Sequence, residues 1–421
     1  MARAGARKNK PKPQAADGQH IAVRMYNVGF GDAFLLTIPT AAGPRKVLFD
    51  CGSIKAAARP IGDIVRQIVD DVRDADGVPR IDVVVATHRH RDHVAGFESA
   101  LWKDVEVREV WMPWTEDPTD PAARHIRETQ SSLALCLDTA FQRQASAGGP
   151  PAAVAGWREL ALNALSNDKA MATLHSGFRG DALRRFLPTK QPEQQTIKTD
   201  VLPGVIVHVM GPSRSETVIR DMDPPAGQSY LRLMDSTSLT VSPPDPFNED
   251  WWMPLGDANV AHLALSDADR QAVDAVGQGL EPLVAVALDK AVNGTSLMLM
   301  LQVGDAYLLC PGDAQWGTWE AALGNPEWRA LMRRTVFYKI GHHGSHNATP
   351  VEFVEHVVGR DFWAMASTTH VDQWPNIPRA PLLTALGERT TKIARTDRPQ
   401  DAPSADFHVE PGLYIETKIP V

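Results

Sequence analysis

The segment "THRHRDHVAGF", residues 87–97, carries four side chains that can bind a metal ion, at His88, His90, Asp92 and His93. The whole chain has 14 histidines, so three within six positions form a concentrated set rather than scattered surface or core residues. Imidazole and carboxylate groups together suit Zn²⁺, Mn²⁺ or Fe²⁺. In a tight turn, His88 and His90 can face one side while Asp92 and His93 reach another. This spacing can therefore serve two metal ions held close together.

Further candidate ligands follow the ends of predicted strands. Asp50 ends "RKVLFD", Asp313 ends "AYLLCPGD", and His342 and His343 follow "RTVFYKIG". Side chains at the carboxyl ends of strands lie at one rim of a sheet, where the strands hold them rigidly. A carboxylate such as Asp313 can bridge two ions. These residues are therefore candidates for completing the site that the histidine cluster begins.

The elements that must position these residues are predicted from hydrophobic patterns and turn residues. An amphipathic helix is predicted over residues 61–72, and an alanine-rich pattern typical of helices extends from about 117 to 198. Runs rich in β-branched and aromatic residues predict two short strands within "HIAVRMYNVGFGDAFLLTIPT", on either side of the turn at 29–32, and a buried strand "RKVLFD" that ends in Asp50. Further strands are predicted at 81–86, 107–114, "GVIVHVMGPS", 296–302, 306–310, "RTVFYKI", "FWAMAST" and "LYIETKI". Strands early, helices between them and strands again late predict an α/β sandwich with helices on its outer faces.

The composition excludes several function classes. At 421 residues and 43% apolar content, the chain can bury one large core or two modest ones. Its net charge of -8 gives no support for nucleic-acid binding through a global field. The three cysteines, Cys51, Cys136 and Cys310, are far apart and odd in number, which argues against a disulfide framework. Because no apolar run approaches the roughly 18 residues of a membrane span, we expect a cytoplasmic protein without membrane contact.

Seven motifs spread from residue 27 to residue 397 resemble the metallo-β-lactamase fold superfamily. The central one is the H-x-H-x-D-H pattern of "THRHRDH". The resemblance is closer to one branch, the hydrolase domain of ComEC-type DNA-uptake proteins and the related phosphorylcholine esterases. The other six motifs are, in chain order, "NVGFGDAFLL", "VLFDCGS", "NGTSLMLML", "LLCPGD", "KIGHHGSHNAT" and "ARTDR".

This resemblance implies a four-layer αββα sandwich with a dinuclear metal site on one edge. The implied ligands are His88, His90, Asp92, His93, Asp313 and one of His342 and His343. The first two would hold one ion, the others would hold the second, and Asp313 would bridge. Asp50 would orient the ligand loop through hydrogen bonds. The cofactors expected are two divalent ions, with Zn²⁺ first and Mn²⁺ as the alternative.

The resemblance also defines the expected domain organisation. A single domain is predicted over residues 20–421, after a disordered basic arm at 1–19. Two segments that match no motif, at about 115–200 and 214–285, are predicted insertions of helical character. Such insertions offer a surface for a protein partner, although no residue pattern identifies one.

The chain departs from the superfamily pattern at two positions. Many members have a histidine before the strand that leads to the bridging aspartate, whereas this chain has Asn293 there. The first ion would then have His88, His90 and Asp313 with an amide oxygen or water, a set that suits a harder ion such as Mn²⁺. His208 could substitute, but a strand histidine on a half-exposed face is the simpler interpretation. Residues 377–378 read Ile-Pro where the branch often has His-Pro.

The predicted reaction is metal-assisted hydrolysis. Two metal ions lower the pKa of water from about 16 towards about 7 and polarise the scissile group. Asp92 and Asp313 are the predicted catalytic residues, since they hold both the ions and the attacking water. Ser345 and His346 either contact an anionic substrate or belong to an ordinary polar loop. Asn293 is a candidate for the same kind of supporting contact.

The sequence is compatible with three functions. The branch resemblance favours a phosphodiesterase or nuclease acting on a small-molecule or nucleotide phosphodiester. Similar ligand sets also hydrolyse other esters, amides or lactones, because the fold alone does not fix the substrate. A third possibility is a non-enzymatic binding module with an impaired first metal site. A substrate panel separates the first two, and the third predicts no turnover.

Overall fold

The computed structural model describes residues 19–146, 158, 162–163, 167–191, 195–230, 281–372 and 374–421. Within these residues the strands are β1 His20–Tyr26, β2 Phe34–Ile38, β3 Arg45–Phe49, β4 Arg80–Val85, β5 Glu106–Pro113, β6 Leu183–Leu187, β7 Thr196–Ile197, β8 Val205–Gly211, β9 Met298–Val303, β10 Ala306–Cys310, β11 Thr335–Lys339, β12 Trp363–Ala366, β13 Ile393–Arg395, β14 Phe407–Glu410 and β15 Tyr414–Pro420. The α-helices are α1 Ile61–Asp71, α2 Arg91–Val94, α3 Pro121–Ser146, α4 Asp168–Ala172, α5 Glu216–Arg220, α6 Glu281–Asn293, α7 Trp316–Gly324, α8 Pro326–Met332 and α9 Ala380–Gly387.

The strands form two mixed sheets. The first has the order β14-β15-β1-β2-β3-β4-β5-β6, and its strands β3 to β6 run parallel. The second has the order β13-β12-β11-β10-β9-β8-β7, and its strands β10 to β13 run parallel. Neighbouring parallel strands end at the same edge of a sheet. The loops after β3 and β4, and those after β10 and β11, are therefore brought side by side in pairs.

The alternation of side chains along the strands divides the core. Val83 and Val85 of β4 belong to the same buried cluster as Leu299 and Leu308 of the second sheet. The residue between them, Val84, belongs instead to a cluster that contains buried residues of α1. Successive strand residues point to opposite faces, so β4 packs one face against residues of the second sheet and the other against a cluster that includes α1. The mixed α/β class predicted from the sequence is confirmed.

The prediction of helix throughout residues 117–198 is wrong at its end. Leu183–Leu187 is a strand that pairs in parallel with β5. Its sequence "LRRFL" lacks the apolar run of a buried strand because Arg185 forms an ion pair with Glu109 on β5, at 2.7 Å between Nε and Oε2. This cross-strand ion pair takes the place of apolar packing. The hydrophobic pattern of the sequence does not reveal such a pair. β13 and β14 are also strands that the sequence does not predict.

Parts of the predicted organisation lie outside the described residues. These are nearly all of the basic arm at 1–19 and most of the second insertion at 214–285. In the first insertion, the described helix α3 packs against α6 through a small buried cluster that includes Leu137, Phe141, Leu288 and Val292. No helix in the described part of the chain has the length and apolarity needed to cross a membrane.

Candidate metal centre

Three loops at strand ends bring the predicted ligands together. His88 to His93 follow β4, Asp313 follows β10, and His342 and His343 follow β11. Among the described residues, the carboxylates and imidazoles of Asp92, His93, Asp313 and His343 each offer a ligand atom, and these atoms all lie within 4.8 Å of one another. We call these four residues the quartet. All four side chains are buried, so the water that normally solvates such polar groups is largely absent.

The contacts within the quartet pair each imidazole with a carboxylate. His93 Nε2 lies 3.1 Å from Asp313 Oδ2, and His343 Nε2 lies 3.0 Å from Asp92 Oδ2. Both imidazoles direct their other nitrogen at an acceptor: Nδ1–H of His93 donates to Asp50 Oδ2 at 2.9 Å, and that of His343 donates to the carbonyl oxygen of Ser367 at 2.8 Å. This leaves both Nε2 atoms facing the carboxylates, which is the arrangement found around ligand histidines. The donor set fits a divalent ion.

The buried carboxylates of the quartet favour the presence of a proton or a cation between them. Burial disfavours the charged form of His93, but Asp313, Asp92 and Asp50 outweigh this effect and raise its pKa well above the usual value. Burial also opposes ionisation of Asp313, yet His93 and His342 hold the pKa of this carboxyl well below its usual range. The carboxylates are therefore charged and draw a proton onto the imidazole between them. A divalent cation meets the same demand.

Asp50 orients the loop after β4. Its side chain is fully buried and accepts hydrogen bonds from the backbone N–H of Thr87 at 2.7 Å and from the Thr87 hydroxyl at 2.8 Å. With the Nδ1–H of His93, three donors converge on one carboxylate. Its φ of 55° lies in the left-handed region, which aspartate tolerates better than most residues. The structure thus gives Asp50 the contacts expected of an orienting residue.

A second group of close ligand atoms comprises Asp32, Asp50 and His93. Here a cation is already present, because the buried ammonium of Lys339 forms an ion pair with Asp32. The backbone N–H of Asp32 donates to the carbonyl oxygen of Asp92 at 2.9 Å, so this aspartate also braces the ligand loop. The group is therefore a support behind the quartet rather than another ion site. The sequence offered a signal for Asp32 in "NVGFGDAFLL" but no reason to pair it with Lys339.

Close backbone approach at the ligand loop depends on Gly52. A Cβ atom at this position would lie 2.4 Å from the carbonyl carbon of Asp92 and 2.4 Å from the backbone nitrogen of His93. Backbone atoms cannot yield to such a contact, so any larger residue would displace the ligand loop. The glycine in "VLFDCGS" therefore allows Asp50 and the quartet to pack against each other.

His88 and His90 form a separate pair beside the quartet. His88 Nε2 lies 3.1 Å from His90 Nδ1, and Asn293 Oδ1 lies 2.9 Å from the same His90 nitrogen. The Nδ1 of His88 lies 3.1 Å from the Thr87 hydroxyl. Burial lowers the pKa of His90 to about 4 and that of His88 well below its usual value. Both imidazoles are therefore neutral, the form that binds metal ions. We call His88, His90 and Asn293 the histidine pair site.

Asp289 is a neighbour of this site that the sequence does not single out. It lies one turn before Asn293 on α6, and Asn293 Nδ2 donates to Asp289 Oδ2 at 3.3 Å. Its Oδ1 lies 3.6 Å from His90 Nε2. Burial and the nearby charges of Asp92 and Asp313 raise the pKa of Asp289 to about 8.

The two adjacent histidines after β11 have different environments. Both residues have positive φ, 46° for His342 and 53° for His343. His343 belongs to the quartet, whereas the His342 side chain is 16% exposed and its Nε2 lies 3.9 Å from Asp313 Oδ2. The backbone N–H of His342 donates to Asp313 Oδ1 at 3.1 Å. His343 is thus the better placed ligand, and His342 contacts the bridging candidate mainly through its backbone.

The remaining predicted residues lie at the rim or away from the centre. Ser345 is buried and its hydroxyl donates to Asn347 Oδ1 at 2.9 Å. Burial and the positive charge of Arg379 lower the pKa of His346 to about 4. His208 Nε2 lies 3.2 Å from Gln302 Oε1 on the neighbouring strand β9, and His208 joins neither ligand set. The interpretation of His208 as a strand histidine accounts for this contact.

Residues of the first insertion brace the ligand loop from outside. Arg89 forms a two-point ion pair with the buried carboxylate of Glu116, at 3.0 and 2.9 Å. The side-chain oxygen of Asn163 accepts a hydrogen bond from the backbone N–H of Arg91 at 2.8 Å, and the Asn167 amide donates to the carbonyl oxygen of Arg89. These contacts fix the backbone between the ligand residues. The sequence predicts the insertion but not this bracing role.

The fold and the geometry thus bring six strand-end side chains into two adjoining ligand sets. A comparison of the chain with models of protein families gave no match, and a search of the curated proteins gave no significant match.

Proposed function

We propose that this protein is a metal-dependent hydrolase whose dinuclear centre activates water for attack on phosphodiester substrates. The observation that carries the proposal is the quartet, in which four buried ligand atoms lie within 4.8 Å of one another. Burying two carboxylates beside each other is unfavourable unless a cation or proton compensates them. A structural core has no need of this arrangement, whereas a metal centre depends on it.

We also propose that the two sheets and their helices form the four-layer αββα sandwich of the metallo-β-lactamase superfamily. The buried cluster shared by β4, β9 and β10 supports contact between the sheets. Helix α1 belongs to the outer cluster of the first sheet, and α7 and α9 belong to that of the second. The order of the motifs along the chain agrees with this arrangement.

The residues of the chain would have distinct tasks in hydrolysis. Divalent ions at this centre would supply activation of water and stabilisation of the developing negative charge. Asp313 would join the ligand loops that follow β4 and β11, because it contacts His93 through Oδ2 and the backbone of His342 through Oδ1. Asp92 would hold the quartet ion and position the attacking water. Asp50 would keep Nε2 of His93 turned to the centre by holding the Nδ1 proton.

The choice of ion follows the donor chemistry of each set. Two imidazole nitrogens and two carboxylates in the quartet suit Zn²⁺. The histidine pair site adds an amide oxygen from Asn293, and oxygen donors favour a harder ion such as Mn²⁺. We therefore expect Zn²⁺ or Mn²⁺ in the quartet and a preference for Mn²⁺ in the second site.

Positive charge at the rim supports an anionic substrate. Arg379 lies close enough to His346 for its positive charge to help lower the pKa of this imidazole. Arg379 also donates its backbone N–H to the carbonyl oxygen of Gly344, within the loop that carries the two histidines. The net charge of -8 disfavours a long polyanion. A small-molecule or short nucleotide phosphodiester is the substrate class that satisfies both observations.

The proposal is tested with a panel of substrates. The full chain, supplied with Zn²⁺ or Mn²⁺, is incubated with a bis-aryl phosphate, short oligonucleotides, lactones and thioesters, and Asp313→Asn is assayed beside it. We expect phosphodiester turnover that Asp313→Asn lacks. Turnover of lactones or thioesters alone would assign the centre to another ester class. Absence of any turnover in a protein that binds its ions would contradict the hydrolase proposal and favour a binding module.

A further inference from the structure

Helix α6 delivers polar side chains to the histidine pair site from outside the strand-end loops. Asn293, its last residue, contacts His90 Nδ1, and Asp289, one turn earlier, lies 3.6 Å from His90 Nε2. The two side chains also contact each other, at 3.3 Å between Asn293 Nδ2 and Asp289 Oδ2. One helix turn therefore faces both nitrogens of the same imidazole.

His90 Nε2 lacks a hydrogen-bond partner within the described part of the chain, although the residue is only 2% exposed. A buried polar nitrogen without a partner is unfavourable by about 1–3 kcal/mol. The carboxylate of Asp289 is just beyond hydrogen-bond distance on the side to which this nitrogen points. A small movement of either side chain would satisfy Nε2 with an acceptor.

The identity of the protonated nitrogen decides what the histidine pair site can bind. If Nδ1 carries the proton, His90 donates it to Asn293 Oδ1 or to His88 Nε2, and the site is closed by a hydrogen bond. If Nε2 carries it, the lone pair of Nδ1 faces the lone pair of His88 Nε2 at 3.1 Å. Two facing lone pairs repel each other unless a cation lies between them. Oδ1 of Asp289 lies on the side of Nε2 and can accept a hydrogen bond from its N–H, so it favours the second state.

We propose that Asp289 is a positioning residue that holds the proton of His90 on Nε2 and thereby makes His88, His90 and Asn293 a site for a second divalent cation. This inference rests on the proposed metal centre. Asp289 acts through His90, as carboxylates commonly do behind ligand histidines, where their loss lowers metal affinity about 10- to 100-fold. A carboxylate from α6 thus compensates for the histidine that this chain lacks before β9.

The inference is tested by titrating metal-free full-length protein with Mn²⁺ and counting bound and free ions. The variants are Asp289→Ala, Asp289→Asn and Asp289→Glu, and the matched control is Asp223→Asn. Asp223 is an exposed carboxylate that pairs with Lys290, the residue next to Asp289. The Asp223→Asn substitution therefore removes one negative charge near Asp289 and leaves the contacts of His90 unchanged.

We expect the wild type and Asp223→Asn to bind two ions. Asp289→Ala should keep the tighter ion and bind the weaker one about 10- to 100-fold less well, and Asp289→Glu should recover part of the loss. Thermal unfolding of the metal-free variants, measured alongside, should be unchanged, which separates positioning from a structural role. Equal affinities in Asp289→Ala and the wild type would overturn the inference and leave the metal centre standing. A wild type that binds no ion would overturn both.

Discussion

The quartet and the histidine pair site lie side by side but are built differently. In the quartet, each imidazole has Nδ1 fixed by an acceptor at 2.8–2.9 Å and presents Nε2 to a carboxylate. In the histidine pair site, His90 presents Nδ1, and its Nε2 is without a partner among the described residues. The quartet has four ligands from strand-end loops, whereas the other site depends partly on a helix.

This difference has an energetic consequence. Because the quartet side chains are already oriented before binding, they lose less conformational entropy when an ion binds. The quartet should therefore bind the first ion, and bind it more tightly. The histidine pair site has neutral ligands with low pKa values and an amide oxygen, and these donors attract a cation less strongly than carboxylates do. The two sites should therefore fill in sequence rather than together.

Loss of Asp313 should have the largest effect because it belongs to the quartet and is the carboxylate predicted to bridge the two ions. Asp313→Asn keeps the shape of the side chain and removes its charge. We expect ion binding at both sites to fail and turnover to fall by at least about 10²- to 10³-fold, the cost of removing a single charge-stabilising group. Ion counting and steady-state kinetics check this. Retention of both ions in Asp313→Asn would show that Asp313 does not bridge the two ions.

Substitution of each of the two adjacent histidines in turn should have the next largest effect on ion binding. His343→Asn and His342→Asn place the same residue at two positions with positive φ, which asparagine tolerates, so backbone strain is matched. We expect His343→Asn to lose the quartet ion and His342→Asn to keep it. The measurement is ion content after dialysis. The reverse result would move His342 into the quartet.

Asp50→Asn should weaken the quartet without removing a ligand. The substitution keeps a residue suited to the backbone conformation but sets an amide against the N–H groups of Thr87 and His93. Leaving a buried donor unsatisfied should lower the free energy of unfolding by about 1–3 kcal/mol, and ion affinity should fall about 10- to 100-fold. Denaturant unfolding and ion titration check the two effects. An unchanged ion affinity would mean that Asp50 does not orient His93.

Substitution of Glu109 should have the smallest effect on stability. This residue serves as a reference because it is a buried carboxylate already paired with a cation, Arg185. Hydrogen bonds from Arg185, Thr199 and Trp111 outweigh burial and lower the pKa of Glu109 below its usual 4.5. Because the folded pKa is below the unfolded one, this contribution to stability is present above pH 4.5 and is lost as the pH falls through the folded value.

Glu109→Gln should therefore destabilise the protein at neutral pH by about 1 kcal/mol, and the difference from the wild type should shrink below pH 4.5. Denaturant unfolding at several pH values measures it. Ion content should not change, in contrast to the quartet variants. A pH-independent difference would mean that the charge of Glu109 is not what stabilises the fold.

The sequence predicts that the candidate ligands lie at strand ends, because their signals are local. The pattern of a buried strand followed by "THRHRDH" places His88 to His93 at a sheet edge, and the hairpin before Asp313 does the same. The choice between His342 and His343 is not predictable in this way. It depends on two consecutive residues in left-handed conformations, which turn the side chains in different directions.

Asp289 was beyond prediction for another reason. Its contact with His90 joins residues 199 positions apart, and no strand pairing links them. Only the packing of α6 against α3 and the neighbouring loops brings the helix end to the centre. Likewise, the strand Leu183–Leu187 depends on the ion pair between Arg185 and Glu109, which a hydrophobic pattern does not register.

The most direct test of the metal centre is to count ions in the full-length protein, purified without a histidine tag and then offered Zn²⁺ or Mn²⁺. Elemental mass spectrometry gives the number of ions per chain, with Asp313→Asn measured in parallel. We expect two ions per chain in the wild type, the tighter of them in the quartet, and none in the variant. A wild type that holds no ion after both metals are offered would contradict the proposed metal centre.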